Sequence, residues 1–374
     1  MHLDQSYFMS QTNVRFPRTD QMDFFRTLNS RVNAYFQENN ISKYGNWKLY
    51  LKSVVVFGIF LTPYFLILSN NFNQWVMLGL TIVMGAGMAF VGMCVMHDGN
   101  HGSYSRSKWV NNLMGSSIYI LSGNVFNWKV QHNILHHTYT NVAHHDEDLN
   151  ADGVLRLCKH DPWKPFHRYQ HYFAVVLYGL LTFNWALRKD IRQLKDYLSR
   201  GFSTGKPVNP TKEWIILSVT KVLYITVWIV LPILVLDIAW WKVLIGFFVM
   251  HYTAGLILSI VFQLAHIVED TEMPLPDDKG NMENTWAIHQ LFTTANFAPK
   301  NKLVSWFVGG LNYQIEHHIF PNISHVHYPK ISAIVKQTAK EFGLPYNEYP
   351  TTRKAIVSHF KMLKQLGQPN VNVA

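Results

Sequence analysis

The sequence predicts an all-α integral membrane protein with four transmembrane helices in two hairpins, interfacial helices and a cytosolic cap. Three observations predict it. Of the 374 residues, 48% are hydrophobic and only 15% are charged, well under the roughly 25% usual in soluble domains. Four apolar runs approach or exceed the ~20 residues a helix needs to cross ~30 Å of hydrocarbon. The short turn inside each pair of runs carries almost no positive charge, while the segments flanking the pairs carry nearly all of it. By the positive-inside rule those larger segments face the cytoplasm.

Taken in order, residues 1–50 form a mostly polar N-terminal cytosolic or interfacial segment, without the basic start, apolar stretch and small-residue cleavage site of a secretory signal. Nothing is expected to be removed. Phe24, Leu28, Val32 and Phe36 recur at i, i+4, the spacing of an amphipathic helix lying on the membrane or on the body of the protein. The first two spans are expected near 53–69, which contains Pro63, and 75–96, where Gly85 and Ala89 are spaced for close helix packing. The second pair is expected near 214–236, with Lys221 close to its start, and 241–263. Trp240 and Trp241 then mark the interface opposite the cytoplasm.

Two further apolar runs are ambiguous. Leu113 to Leu121 is too short to cross, and Tyr172 to Leu187 is marginal. If the second crossed, three spans would separate the second and third histidine groups described below, leaving them on opposite faces. It is therefore read as interfacial or re-entrant. The core domain is expected over 51–345, followed by a tail at 346–374 in which Ile356, Phe360 and Leu363 alternate with Lys354, Lys361 and Lys364. That pattern describes a basic amphipathic surface helix suited to anchoring.

Cys94 and Cys158 are too few for a disulfide framework, a four-cysteine zinc site or an iron–sulfur cluster. The net charge of +10 comes without a basic stripe interleaved with aromatics. Nucleic acid is not an expected partner, and anionic lipid is.

The chemistry lies in the histidines. Seven of the 19 fall in three compact groups: His97-Asp98-Gly99-Asn100-His101, His132-Asn133-Ile134-Leu135-His136-His137, and Gln314-Ile315-Glu316-His317-His318. On an α-helix, i, i+4 imidazoles project from one face within reach of one metal. Adjacent histidines point about 100° apart and so can serve two metals. Asp98 is placed to orient a ligand by accepting its second N–H. His266, just beyond the fourth span with Gln263 one turn earlier, is an eighth candidate or a core histidine. The ligand number exceeds the needs of one zinc ion and suits two ions of four or five ligands each.

Imidazole accepts iron, copper, zinc or nickel, so the ligands alone leave the metal open. The setting narrows it. A nitrogen-rich array at the mouth of a hydrophobic bundle fits oxygen chemistry on a lipid, and abstracting hydrogen from an unactivated methylene needs a strong oxidant, which side chains cannot provide and a reduced iron pair with dioxygen can. His251, roughly 22 Å along the helix from His266, cannot join that centre, and either lines an acyl cavity or packs. His144, His145, His160, His167, His171, His325 and His327 are expected in loops or at the surface. His144 and His145, beside Asp146, Glu147 and Asp148, are candidates to support the ligands, and His289 stays undecided.

With the residues after each group (Thr138-Tyr139-Thr140-Asn141 and Ile319-Phe320-Pro321), these motifs resemble the three histidine boxes of membrane fatty acid desaturases, over about residues 50 to 345. Trp286, Asn296-Phe297 and Gly309-Gly310-Leu311-Asn312-Tyr313 extend the resemblance. Gln314 in place of the first histidine of box three is similar to front-end desaturases, which insert a double bond on the carboxyl side of an existing one. The nearest likeness is to the bacterial and cyanobacterial type without a fused cytochrome domain.

The resemblance implies a cap holding two iron ions over a tunnel for the acyl chain. The implied ligands are His97, His101, His132, His136, His137, His266, Gln314, His317 and His318, with Asp98, Gln263 and Asn141 bonded behind them. It also implies a linoleoyl-type acyl substrate carried by coenzyme A or lipid. The sequence contains no His-Pro-Gly-Gly haem motif, so an external electron donor such as ferredoxin or a cytochrome is expected. The rival readings are a membrane di-iron lipid hydroxylase, a sphingolipid desaturase and, from another class, a metal transporter or transmembrane haem protein. The last would place paired histidines in mid-membrane, where only His251 lies.

Overall fold

The computed structural model describes residues 14–18 and 23–369. The chain is built almost wholly of helices. The first, α1 (Phe24–Glu38), buries Phe24, Leu28, Val32 and Phe36, so its apolar stripe is spent on the protein body. Two long helices follow, α2 (Trp47–Leu68) and α3 (Gln74–His101). The asparagines of the intervening turn have a structural use: the Asn73 side chain accepts from the N–H groups of Trp75 and Val76 and so caps α3. Next come α4 (Lys108–Gly115), α5 (Val125–Trp128), α6 (Gln170–Gly179) and α7 (Asp190–Ser199). The second long pair is α8 (Pro210–Val235) and α9 (Trp240–His266). Proline at the first position of α8 and the Asn209 cap before it fix that start.

These four helices are long and apolar enough to cross a membrane, and the chain is a multi-pass membrane protein. Each runs past its apolar core: α3 reaches His101 rather than 96, and α9 reaches His266 rather than 263. Both extensions deliver histidines into the cap without a loop. The Tyr172 to Leu187 run is not one long helix, since α6 ends at Gly179 and shorter turns lead through Lys189 into α7. The Leu113 to Leu121 run is likewise split between α4 and a 3-10 turn, Ser116–Leu121.

The cap adds α10 (Trp286–Thr293), α11 (Gln314–Ile319), α12 (Tyr328–Glu341) and α13 (Thr352–Leu366). The apolar residues of α1 share one core with α10, α11 and α12. The tail corrects an expectation. Met362, Leu363 and Leu366 of α13 are fully buried against Ala174, Tyr178 and Ile267, and His359 donates to the Ile267 carbonyl at 2.8 Å. A short parallel pair, β1 (Asn296–Phe297) with β2 (Glu348–Tyr349), crosses the boundary expected at 345. The C-terminal helix is thus part of the cap wall rather than a peripheral anchor.

At the end of the bundle away from the cap, the two hairpin turns are clasped together. Asn70 donates to the Asp237 carboxylate, and Lys242 donates to the Gln74 side-chain carbonyl.

Candidate metal centre

Local backbone geometry decides which imidazoles meet. Just before His97, α3 widens into a π-helical turn, Gly92–Met96, and beyond α5 a second one spans Lys129–His136. The second corrects the spacing argument. In a π-helix the backbone bond runs i to i+5, and the His137 N–H donates to the His132 carbonyl at 3.0 Å. His132 therefore aligns with His137, whose Nε2 lies 3.3 Å from its own, and the α-helical partner His136 turns to the other side. Gly99 sets the depth of box one, because a Cβ there would sit 2.5 Å from the Gly115 nitrogen of α4.

Eight histidines converge as a set of four and a set of three, with the eighth, His137, between them. His97, His101, His132 and His317 bring one ring nitrogen each within 4.8 Å of one another, and His136, His266 and His318 do the same. His137 meets this limit with His317 and His318, so it stands between the sets. Adjacent His317 and His318 fall in different sets, although both also approach His137, and His136 falls in the set with His266 and His318. His97 Nε2 and His132 Nε2 are 3.2 Å apart. Two nitrogens at about 2.1 Å from a common ion would be separated by about 3.0–3.4 Å.

Outward-facing nitrogens have partners. His136 Nδ1 donates to Asp146 at 2.9 Å and His132 Nδ1 to Asp148 at 3.1 Å. His318 Nδ1 donates to Gln290 Oε1 at 3.0 Å, and His317 Nδ1 lies 3.2 Å from the Tyr328 hydroxyl. Other ring nitrogens have none. The Nε2 atoms of His101, His136, His317 and His318, Nδ1 of His137 and both nitrogens of His266 are buried without a hydrogen-bond partner. Each such atom costs about 1–3 kcal/mol, so seven together are comparable with the whole stability of about 5–15 kcal/mol typical of a domain. A bound cation relieves those nitrogens that turn toward it, one per ring at most, and the donor set fits such an ion.

The electrostatics agree. Burial, then the neighbouring imidazoles, hold His137, His317 and His318 well below the ordinary value, so these rings are neutral and free to ligate. Burial also lowers His132 despite the Asp148 carboxylate. His136 moves the other way: burial opposes its cation, but Asp146 and, behind it, Asp148 outweigh that.

Several assignments change. The Asp98 carboxylate orients no box-one ligand; it accepts from Ser324 Oγ at 2.8 Å and from the His325 backbone N–H at 3.3 Å, with His325 Nδ1 3.0 Å away. His325 is accordingly buried rather than superficial, with Lys52 Nζ 2.9 Å from its Nε2, and His167 and His327 are buried too. Asn141 supports the centre through the backbone, donating to the His266 carbonyl at 2.9 Å. Gln263 is buried with Oε1 unpartnered, and Gln314 is buried one turn before His317. Of the acidic run, the carboxylates of Asp146 and Asp148 reach ligands, whereas His144 lies 3.9 Å from Asp161 and His145 bonds the Ala143 carbonyl. His289 donates to the Thr140 carbonyl at 2.7 Å, and His251 sits between Tyr224 and Thr182, packed and apart from both sets.

Sequence reasoning missed Gln290, Thr140, Tyr328 and Trp128. The Trp128 ring lies 4.5 Å from His132, 5.5 Å from His101 and 5.7 Å from His97, centre to centre. Its place one α-turn before His132 was the available signal.

Comparison with known proteins agrees with this geometry. The fatty acid desaturase family model matches residues 73–350. The chain is 34% identical to an sn-1 linoleoyl-lipid 6-desaturase of Arthrospira platensis, covering 96% of each. It is 35% identical to one of Synechocystis sp., covering 96% of this chain and 99% of that one. An acyl-lipid (8-3)-desaturase of Physcomitrium patens is 34% identical over 96% of this chain and 74% of its own length. With buried histidine clusters at the ends of membrane helices and matches over nearly its whole length, the chain belongs to the fatty acid desaturase family and is an oxidoreductase that desaturates fatty acyl chains.

Proposed function

We propose that the two imidazole sets hold a pair of iron ions, and that the chain inserts a double bond on the carboxyl side of one already present in an acyl group esterified to a lipid. The observation that carries the metal reading is the convergence of eight imidazoles, six of them with a buried unpartnered ring nitrogen, in two groups that meet at His137. The ligands are His97, His101, His132 and His317 for one ion, His136, His266 and His318 for the other, and His137 between them. An iron pair with dioxygen supplies the oxidising power that side chains lack.

The chain's own residues do the rest. Asp146, Asp148 and Gln290 fix the tautomers of His136, His132 and His318 by accepting from Nδ1, which leaves Nε2 for the metal. Trp128 on one set and Phe262, 5.1 Å from His136 and 4.7 Å from His266, wall the centre with apolar surface and exclude water. Gln314 is a neutral amide and a weaker ligand than imidazole. It holds a water or the substrate near His317 instead of bonding strongly to iron.

The carboxyl-side reading rests on Gln314 and on the relatives, two of which are linoleoyl-lipid 6-desaturases by name. An external one-electron donor, a ferredoxin or a cytochrome, reduces the centre from the basic face, which the charge asymmetry of the loops assigns to the cytoplasm. Feeding linoleate to a host expressing the protein and locating the new bond by mass spectrometry tests the regiochemistry. A triene with the new bond nearer the carboxyl end is expected. A bond added only toward the methyl end, or only to saturated chains, would overturn it.

A further inference from the structure

The bundle contains a lipid-sized space far from the histidines. An apolar cavity of about 460 Å³ lies between the two hairpins in the half away from the cap, lined by Tyr64, Met84, Trp228, Phe247 and Met250 among others. Small-molecule sites typically span about 300–1,000 Å³. Its lining runs along α3 from Gln74 to Met84, ten residues or about 15 Å. At about 1.3 Å per carbon, from single bonds of about 1.5 Å, that depth takes roughly a twelve-carbon stretch of acyl chain.

The cavity is not the end of the substrate's path. Met84 precedes His97 by thirteen residues, about 20 Å of helix. If the attack falls at carbon 6, as in the names of two relatives, an eighteen-carbon chain extends about eleven carbons beyond the new bond, or about 14 Å. At the inner edge of the cavity α3 and α9 also close on each other, since a Cβ on Gly85 would collide with the Met250 carbonyl oxygen and the Thr253 side chain.

Among the described residues the lining has one cation. Lys242 lies beside Trp75 and Trp241, and its ammonium is bonded to the neutral Gln74 amide, while the Asp237 carboxylate of the same clasp is held by Asn70. A single positive charge above a single-chain apolar slot, at the interfacial level where exposed tryptophans sit, matches one ligand chemistry. We propose that this cavity binds a free fatty acid, with its carboxylate on Lys242 in place of Gln74 and its tail between Met84, Phe247 and Met250.

The test uses the full chain, delipidated in detergent and without reductant, so that no turnover is needed. The probe is 9,10-dibromostearic acid, whose bromines quench the tryptophans lining the cavity. Saturable quenching is expected. Lys242→Gln should weaken it about tenfold, as loss of a charged hydrogen-bond partner predicts, and the methyl ester should bind the unaltered chain equally weakly. Gly246→Leu, whose Cβ already meets Thr81 at 3.2 Å, and independently Thr81→Phe, should fill the cavity and abolish the effect. Linoleate turnover should be unchanged in all three. Unaltered titrations in all three variants would overturn the proposal. So would a changed chain-length preference in turnover, which would make the cavity part of the substrate path, or equal variant-sensitive quenching by a dibrominated phosphatidylcholine, which would make the occupant a diacyl lipid. A chain that fails to desaturate at all still reports on this site.

Discussion

The imidazoles of the centre were legible because box spacing is local, and the groups that hold them were not because they arrive from elsewhere. Gln290 and Tyr328 come from α10 and α12, far along the chain from the boxes they touch, and no periodicity links them. Asp98 shows the converse error: it adjoins His97 in sequence, yet its carboxylate serves His325 and Ser324. Proximity along the chain overstates contact at a helix end, where successive side chains diverge. Two predictions belong to this scale. His136→Ala removes a ligand and should abolish desaturation while membrane insertion persists, read by lipid analysis and membrane fractionation. Asp146→Asn keeps the shape but removes the negative charge and offers an NH2 donor beside His136 Nδ1, so the tautomer is no longer fixed. It should weaken metal retention about 10–100-fold, measured by chelator competition, whereas unchanged retention would reduce Asp146 to a loop residue.

Among the elements, the four spans and α1 followed from hydrophobic periodicity, which burial enforces directly. The π-helical turn over Lys129–His136 did not, because a shift from i+4 to i+5 leaves no compositional trace. Its consequence is functional, since it pairs His132 with His137 and sends His136 to the other set. The tail was misplaced for another reason. A basic amphipathic helix reads the same whether its apolar face meets lipid or protein, and only the partner, here Ala174, Tyr178 and Ile267, distinguishes them. Burial of Met362, Leu363 and Leu366 contributes about 1.5–3 kcal/mol each. Leu363→Ala should therefore lower the unfolding temperature of the detergent-solubilised protein, with a cost of about 2–5 kcal/mol. A helix that only anchors would lose membrane affinity and keep its thermal stability.

At the scale of the molecule, the bundle positions a cap whose centre is a concentration of neutral imidazoles, and this gives a pH dependence of definite sign. His137, His317 and His318 are held well below 6.5, chiefly by burial. His289 and His359 fall to about 4 for the same reason. The unfolded chain thus binds more protons than the folded one below 6.5, and stability is lost as pH falls from there toward the folded values. His136, raised by Asp146, opposes this but is outnumbered. Thermal unfolding of the metal-free protein should shift downward between about pH 6.5 and pH 4, and a flat or rising profile would contradict the neutral-imidazole picture. The central claim, two ions held by two sets of histidines that meet at His137, is tested most directly by metal analysis of the purified protein. Two irons per chain are predicted, and one zinc with no iron would contradict the account.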